Sequence, residues 1–420
     1  MNREFAMNIM GIKTEGLGTN NQMRGIIIAG IEYAKKRKKT PVSRNALLEA
    51  SDGTLLHPGN FLTQKSFEQA VQSSIDAYLS KNAAPEFVVL PFDISKSESE
   101  NKDVDILSAS VKKAFATHGH TVGTMVMTSN LYDYQNVDLT HVCNHLLSAE
   151  DEKILHENHK LKNKVVETLG VPSNINWTFI RNHINKLQTT FEVLNKSQSA
   201  ILNRNKKTIL FSLGGITDNG AIDFDLKDAE NLMNIAIKFK AKNYNIIFTN
   251  SPRTPSDVTD YLYEKCQLFH MEFYNSKKIA ENEEEVRNFR NYSGKYKSEF
   301  EEQAKTIGNI YPGVLALCEF VVNTHDSFSY TSDAAALGLP SVVYNGNFID
   351  KEKRPDCYKL FDLCHKKGYV LSLDEAVEKI ENGQKIETKK MDSVSFQLVK
   401  AINCFLSKSR CISKTDDLKR

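Results

Sequence analysis

The sequence predicts an α/β protein built from two Rossmann-like domains, each with a parallel sheet. Short apolar runs alternate along the chain with longer amphipathic stretches, which is the pattern of β-α-β units. The 420 residues exceed what one ordinary core accommodates and suit two domains of about 200 residues each. A polar stretch rich in Asn and Lys, at 195–207, divides the predicted elements into two series.

The first series lies N-terminal to that polar stretch. Apolar residues recur at spacings of three and four in 23–36 and 66–80, which indicates amphipathic helices. A further helix at 177–194 is expected to end this half, so the first domain is placed at residues 1–190. Its strands are predicted at 5–12, 87–92, 121–127 and 140–143.

The second series follows the polar stretch and forms a predicted domain at 205–390. A last helix, near 394–406, has no strand after it. We expect residues 391–420 to form a C-terminal helix with a polar tail, and the helix to pack back on the first domain. The strands of the second domain are predicted at 208–213, 244–249, 268–273, 320–323, 341–344 and 368–371.

Composition and charge exclude several classes of function. Lys and Arg number 54 against 52 Asp and Glu, so a formal charge of +2 provides no field for nucleic-acid binding. No apolar run approaches the roughly 20 residues that span a bilayer, and the N-terminus lacks the apolar core of a secretory signal. Seven cysteines without a CxxC pair indicate reduced thiols. We expect a cytoplasmic protein without a metal cluster.

The first candidate site segment is the end of the predicted strand 208–213. It runs into Gly214 and Gly215, where glycine permits a positive φ and a close approach of the backbone to a ligand. The alternative is a tight turn that binds nothing.

The second candidate segment follows the next predicted strand. It holds Ser251, Arg253 and Thr254 in a loop that two prolines stiffen, with Ser256 or Asp257 expected to cap the helix after it. An arginine held in such a loop suits a bidentate grip on phosphate. The alternative is a surface arginine in a capping turn.

The third candidate segment is the start of an Ala-rich helix, from Asp326 to Ser329, which Gly338 ends. Free N–H groups and the positive dipole at a helix start form a seat for pyrophosphate. The hydroxyls of Ser327 and Ser329 add donors, and Asp333 is placed to accept hydrogen bonds from ribose hydroxyls. The alternative is a well-capped β-α-β unit without a ligand.

These three segments, in this order, resemble the C-terminal half of the elongated-mitochondria (Elm-type) fission-factor family, which is GT-B-like. The family has a Gly-Gly turn, a T-x-S-R-R-T-P loop, N-P-Y, a V-T-x-D-S-x-S-M-x-x-E-A helix start and G-K-P-V. The counterparts here are Gly214 with Gly215, then 249–255, 309–311, 323–334 and 338–341. Pro252 replaces the first arginine, Tyr330 the methionine and Asp333 the glutamate.

The N-terminal half is more weakly similar to the same family. Residues 140–145 lie where the family has a strand ending in P-x-H-D, with Leu146 in place of the aspartate. The family's G-x-x-N-Q-x-x-G opening, which ends here at Gly25, has its counterparts among Gly16, Gly18, Asn21 and Gln22.

The resemblance implies a GT-B-like fold, with two Rossmann-like parallel-sheet domains facing a central cleft. It implies a metal-independent glycosyltransferase that needs no cofactor and uses a nucleotide-diphosphate sugar as donor. The acceptor, a glycan, lipid or protein, would meet 16–22 in the first domain, with His145 as the base and His118 or His120 next. The donor would be bound by Gly214, Gly215, Ser251, Arg253, Thr254, Asp326, Ser327, Ser329 and Asp333.

Other interpretations stay open. The fold also suits a sugar-nucleotide epimerase or hydrolase, or a catalytically reduced scaffold that binds partners at a membrane or organelle surface. The basic run from Lys35 to Lys39 is either a membrane-contact segment or the exposed end of a helix. Two D-x-D look-alikes, at 103–105 and 223–225, are interpreted as solvated faces rather than Mn²⁺ sites.

Overall fold

The structure, a computed structural model, describes residues 8–14, 17–36, 47–49, 53–93, 98–129, 131–175, 177–193, 206–217, 219–281, 291–307 and 310–417. The chain forms two compact units. The first comprises Met1–Asn174 together with Asp392–Arg420, and the second comprises Ile175–Met391.

Six parallel strands form the sheet of the first unit: β1 (Ile9–Ile12), β2 (Leu47–Leu48), β3 (Phe87–Asp93), β4 (Gly123–Thr128), β5 (Leu139–Cys143) and β6 (Val165–Thr168). Their order is β2-β1-β3-β4-β5-β6, and all pairs are parallel. The helices between them are α1 (Leu17–Lys36), α2 (Gln64–Leu79), α3 (Glu98–Thr117), α4 (Ala149–Glu157) and α5 (His159–Lys164).

Both faces of this sheet are covered, which explains its apolar strand sequences. Alternate strand residues such as Met10 and Val88 pack against α2 and α3, whereas Ile9 and Val89 pack on the opposite face against α1. The last helix of the chain (Val394–Asp417) completes that second face with apolar residues such as Leu398. It therefore belongs to the first unit although it follows the second in sequence.

The second unit contains six parallel strands: β7 (Thr208–Ser212), β8 (Asn245–Thr249), β9 (Glu272–Tyr274), β12 (Phe320–Thr324), β13 (Ser341–Tyr344) and β14 (Val370–Ser372). Their order is β14-β13-β12-β7-β8-β9, and a separate parallel pair joins β10 (Lys278–Ile279) to β11 (Asn291–Tyr292). The helices are α6 (Trp177–Val193), α7 (Leu226–Ala241), α8 (Ser256–Leu268), α9 (Lys297–Thr306), α10 (Tyr311–Leu315), α11 (Phe328–Leu337), α12 (Pro355–Lys366) and α13 (Leu373–Glu381), so the last helix is α14.

Helix α6 groups with the second unit, whereas the sequence placed it at the end of the first domain. Its residues Ile180 and Leu187 pack in one cluster with Leu210 of β7 and Val321 of β12. The contact with α10 is close, since a Cβ added at Gly313 would lie 2.2 Å from Leu187 Cδ1. An amphipathic helix between two domains shows which face is apolar but not which sheet it covers.

Strand β9 begins later than the sequence predicts, because the predicted 268–273 includes the end of α8. Leu268 is the last residue of that helix and lies largely exposed, although it is apolar. The chain then turns at His270, whose φ of 52° is left-handed, before β9 starts at Glu272.

The α/β fold class that the sequence predicts, with two Rossmann-like parallel-sheet domains, is confirmed. The second sheet has the Rossmann strand order. In both sheets all strands are parallel, and the strand order reverses beside the strand that comes first in sequence. Within the described residues, no helix combines the length and apolar character needed to cross a membrane.

Candidate functional site

The three candidate loops of the second unit begin at the carboxyl ends of neighbouring strands, and these strand ends lie side by side in the sheet. Ser212 at the end of β7 lies opposite Asn323 of β12 on one side and Thr249 of β8 on the other. The strand order reverses between β7 and β12. Open α/β sheets bind ligands outside the carboxyl ends of their strands at such a switch point. The topology therefore brings the three loops together where a ligand is expected.

The two glycines after β7 are needed for close contacts within the protein. Gly214 N donates to Thr324 Oγ1 at 2.6 Å, and Gly215 N donates to Asp326 Oδ2 at 3.3 Å. A Cβ at Gly214 would lie 2.0 Å from either carboxylate oxygen of Asp326, and one at Gly215 would lie 2.0 Å from the carbonyl oxygen of Arg253. Neither glycine has a positive φ, so that expectation was wrong. Space, not backbone conformation, requires glycine here.

Arg253 and Asp326 form an ion pair across the site. Arg253 Nη2 donates to Asp326 Oδ2 at 2.6 Å, and the aspartate side chain has no exposed surface while the arginine side chain is 29% exposed. The contact uses one of the five N–H donors of the guanidinium. Asp326 therefore holds Arg253 in place with donors left over. As an anion itself, Asp326 is suited to orienting Arg253 rather than to binding phosphate directly.

The hydroxyls of Ser251 and Thr254 fasten their loop to the glycine turn. Ser251 Oγ donates to the carbonyl of Gly214 at 3.0 Å, and Thr254 Oγ1 donates to the same carbonyl. Ser251 Oγ also accepts from Arg253 N at 3.2 Å, which fixes the backbone that carries the guanidinium. The two hydroxyls therefore position Gly214 and Arg253 through backbone hydrogen bonds. The helix after the loop begins at Ser256 with Pro255 in the capping position, so neither Ser256 nor Asp257 is the cap.

In the part of the chain that the structure describes, the start of α11 has no side-chain cap, and neither do the starts of α8 and α12. Over the described residues, Ser327 occupies the capping position of α11 without a capping hydrogen bond from its side chain. In contrast, α2 and α13 begin with complete capping boxes at Thr63 and Ser372. Ser329, one residue into α11, is exposed. The helix has ten residues and ends at Gly338 with a φ of 72°. Its first N–H groups and dipole suit an anion.

Asp333 lies further along α11 and is engaged by a neighbouring tyrosine. It is buried, and its Oδ2 accepts a hydrogen bond from the Tyr311 hydroxyl at 3.4 Å. The Tyr311 ring packs against Tyr330 with a centroid separation of 4.9 Å. Burial raises the pKa of Tyr311 well above its usual value, so the hydroxyl remains a donor. A ribose hydroxyl would share this carboxylate with Tyr311.

Three residues at this edge escaped the sequence interpretation. Thr324 accepts from Gly214, as above. Lys277, after β9, donates from Nζ to the carbonyl of Thr254 at 2.7 Å, and burial lowers its pKa to about 8. Arg354, before α12, places its Cζ 5.6 Å from the centre of the Phe328 ring at the start of α11. Their shared signal is position, because Thr324 ends β12, Lys277 follows β9, and Arg354 ends the segment between β13 and α12.

The acceptor-side residues occupy the start of α1 in the first unit. Gly18, Asn21 and Gln22 lie in its first turns, with the two polar side chains partly exposed, and Gly16 falls outside the described residues. Thr14, which precedes the helix, is held by their neighbour Asn20, whose side chain accepts from Thr14 N at 3.0 Å and donates to Thr14 O at 2.6 Å.

Gly25, at the end of the same motif, has a packing role. A Cβ there would lie 2.2 Å from the carbonyl oxygen of Ser173. The motif therefore combines a helix start at the switch point of the first sheet with a position that only glycine fits.

The predicted base, His145, lies in a short 3-10 helix (Asn144–Leu146) after β5 and is 1% exposed. Strands β3 and β4 separate β5, which precedes His145, from β1, which precedes α1, so these two strands lie roughly 14 Å apart in the sheet. His118 instead pairs with Asp76 at 2.7 Å on the surface, and His120 is exposed. A base must reach the acceptor proton, so the role of His145 stays a prediction that its burial does not favour.

The D-x-D look-alikes have structural roles. Asp105 accepts from the backbone N–H groups of Gln135 and Asn136, both at 2.8 Å. Asp225 caps α7 by accepting from Asp228 N at 3.0 Å. Of the basic run, Lys35 is exposed near the end of α1, Lys36 is the last residue of that helix, and residues 37–39 lie outside the described residues.

Several solved structures are similar to the chain at low identity. A glycosyltransferase from Rickettsia africae ESF-5 is 12% identical, with 97% of each chain covered and a TM-score of 0.41. The S. aureus MnaA-UDP co-structure is 12% identical, with 95% of this chain and 96% of that chain covered and a TM-score of 0.36. The Methanocaldococcus jannaschii UDP-GlcNAc 2-epimerase in complex with UDP-GlcNAc and UDP is 12% identical. The match covers 94% of this chain and 98% of that chain, with a TM-score of 0.35.

The protein family is established independently of these structures. No curated protein matches the chain. The family model for mitochondrial fission ELM1 matches residues 106–394, well over half of the sequence. This match spans the whole second unit, including all three candidate loops, and the chain therefore belongs to the mitochondrial fission ELM1 family.

Proposed function

We propose that the chain is a glycosyltransferase that binds a nucleotide-diphosphate sugar at the carboxyl edge of the second sheet. The observation that carries the proposal is the meeting of Arg253, the glycine turn and the uncapped start of α11 at one topological switch point. A partly exposed guanidinium with spare donors and a helix start without a side-chain cap are both complementary to a diphosphate.

The proposed reaction transfers the sugar to an acceptor hydroxyl or amine. The bond between the anomeric carbon and the diphosphate oxygen breaks, and a bond from that carbon to the acceptor atom forms. The acceptor proton leaves to a base, and the electron pair of the broken bond stays on the diphosphate. Arg253 and the α11 dipole would stabilise this developing charge without a metal. The donor is a substrate, and no further cofactor is proposed.

A second candidate function is a catalytically reduced scaffold that retains its fold for binding partners. The specific observation in its favour is that Asp326 already engages both Arg253 and Gly215 N–H, so part of the anion seat is neutralised from within. The burial of His145 points the same way. Contact with a membrane surface through Lys35 to Lys39 stays a prediction of this alternative.

The first experiment is a thermal-shift screen of the full chain with UDP-, GDP-, ADP- and CMP-sugars. A ligand that binds only the folded state raises the unfolding midpoint, so at least one donor is expected to raise it. Calorimetric titration then gives the Kd of that donor, and Arg253→Gln is expected to raise this Kd at least about tenfold. The exposed Arg181→Gln is the matched control. Absence of any shift would overturn donor binding.

A second measurement separates the possible reactions of a donor that binds. Transfer or hydrolysis releases the nucleoside diphosphate, whereas epimerisation converts the donor sugar without releasing it. Phosphorus and proton NMR of the donor over time distinguish these outcomes. A donor that binds but stays unchanged, with glycan, lipid and peptide acceptors present, favours the reduced scaffold.

A further inference from the structure

A second guanidinium lies at the start of α11, contributed by Arg354. Its Cζ is 5.6 Å from the centre of the ring of Phe328, the first residue of that helix. Arg354 also interacts electrostatically with Asp326, the carboxylate that pairs with Arg253. Burial raises the pKa of the Cys357 thiol, and the charges of Arg354, Asp326 and Arg253 act on the same group.

The two arginines follow strands that lie on opposite sides of the switch point between β12 and β7. Arg253 follows β8 and Arg354 ends the loop after β13, and these two strands flank the central pair β12 and β7. A ligand above the switch point would therefore have one guanidinium on each side. Two cations on opposite sides match the separate charges of two linked phosphates better than one cation does.

Arg354 is oriented and has donors to spare. Its Nε donates to Asp356 Oδ1 at 2.9 Å and its Nη2 to Asp356 Oδ2 at 2.7 Å. This fork fixes the plane of the guanidinium and occupies one edge, which leaves the other N–H groups available. The side chain is 26% exposed, close to the 29% of Arg253. Each arginine is thus held by a buried or half-buried aspartate and opens in part to solvent.

We propose that Arg354 is a second diphosphate-binding residue, which acts with Arg253 as a two-sided clamp on the linked phosphates of the donor. The proposal rests on the proposed function, since it names a further residue of the same site. Neither the sequence motifs nor the family pattern indicated Arg354.

The test is calorimetric titration of the full chain with UDP, GDP and ADP, and with inorganic pyrophosphate as a probe that lacks a base. For the nucleotide that wild type binds best, Arg354→Gln is expected to raise Kd about tenfold and to raise Kd for pyrophosphate by a similar factor. Arg354→Lys keeps the charge but loses the two-pronged guanidinium, so its Kd is expected to lie between those of wild type and Arg354→Gln. Lys353→Gln removes an exposed neighbouring cation and serves as the matched control.

The outcomes separate the two proposals. If wild type binds a nucleotide and Arg354→Gln binds within about twofold of it, the role of Arg354 is overturned while the proposed function stands. A loss equal to that of Lys353→Gln would mean only a general charge effect and would also overturn the role. Should Arg354→Gln not fold, an Arg354→Lys affinity equal to wild type overturns it. If wild type binds none of the probes, both proposals fall together.

Discussion

Arg253 Nη2 and Asp326 Oδ2 lie 2.6 Å apart, and the two side chains differ in exposure: the arginine is 29% exposed and the aspartate not at all. The pair joins the loop after β8 to the start of α11, across the glycine turn after β7. A carboxylate that is shielded from water depends on its partners for compensation. The integrity of the whole edge therefore depends on this contact.

Removing the two partners is expected to have unequal effects on stability. Arg253→Met leaves a buried carboxylate with one backbone donor, so the free energy of unfolding falls by about 3 kcal/mol. Asp326→Asn leaves a guanidinium that water reaches, so the loss is about 1 kcal/mol. Urea unfolding measures both, with the exposed Arg181→Met as the control, expected within about 0.5 kcal/mol of wild type. Equal losses would contradict the assigned burial.

The glycine turn is expected to be intolerant of any side chain. A Cβ at Gly215 would lie 2.0 Å from Arg253 O and 2.4 Å from Thr254 N, and neither backbone atom moves without breaking the loop. Gly215→Ala is therefore expected to cost about 3 kcal/mol or more, or to prevent folding.

Gly220 in the same loop is the control for this substitution. It has a φ of 63° and no atom within 4 Å of an added Cβ. Gly220→Asn is expected to cost less than about 1 kcal/mol, because asparagine tolerates the left-handed region. Comparable losses at both positions, in urea unfolding, would show that crowding at Gly215 is not the constraint.

Much of the fold could be predicted because its strands are buried on both faces. The strands β7, β8, β12 and β13 were predicted to within a residue or two, since such strands read as unbroken apolar runs. The strands β2 and β6 were missed, because β2 has only two residues and β6 contains Glu167 and Thr168 in place of an apolar run. Helix α14 runs to Asp417, well past the predicted 406. Parallel topology then placed the three candidate loops at one edge.

The contacts within the site could not be predicted from local sequence. Gly215 and Asp326 are 111 positions apart, and nothing near either residue indicates that the carboxylate enters the glycine turn. Likewise, Ser251 and Thr254 looked like ligand donors because hydroxyls in a loop suit both phosphate and backbone. Which partner they take depends on how closely β7 and β8 bring their loops, and that is a tertiary property.

His141 in the first unit is expected to make folding sensitive to acid. Burial lowers its pKa to about 3 from an ordinary 6.5, and its Nε2 contacts Thr168 Oγ1 at 2.8 Å. Above pH 6.5 the histidine is neutral in both states and contributes no pH dependence. Below pH 6.5 the unfolded state binds a proton that the folded state does not. The free energy of unfolding then falls as pH falls, by about 1.4 kcal/mol per unit until the folded pKa is reached.

The measurement compares wild type with His141→Gln from pH 7 to pH 4. The variant loses a hydrogen bond and is expected to be less stable at pH 7, and the informative quantity is how the difference in free energy of unfolding between the two proteins changes with pH. It is expected to shrink by about 3 kcal/mol between pH 6.5 and pH 4. Parallel curves for the two proteins would contradict a buried, neutral His141.

The contact between Tyr311 and Asp333 tests whether Asp333 recognises ribose. The 3.4 Å hydrogen bond is long, and a ribose hydroxyl could take its place on the carboxylate. If Asp333 accepts from ribose, the best nucleotide is expected to bind more tightly than its 2′,3′-dideoxy form by about tenfold. Asp333→Asn is expected to abolish most of that preference, whereas Tyr311→Phe is expected to keep it, since the carboxylate remains. Asp333→Asn could instead retain the full preference for the nucleotide over its 2′,3′-dideoxy form while losing stability. In that case Asp333 only accepts the hydrogen bond from Tyr311 and stabilises the packing of α10 on α11, and another residue contacts the ribose.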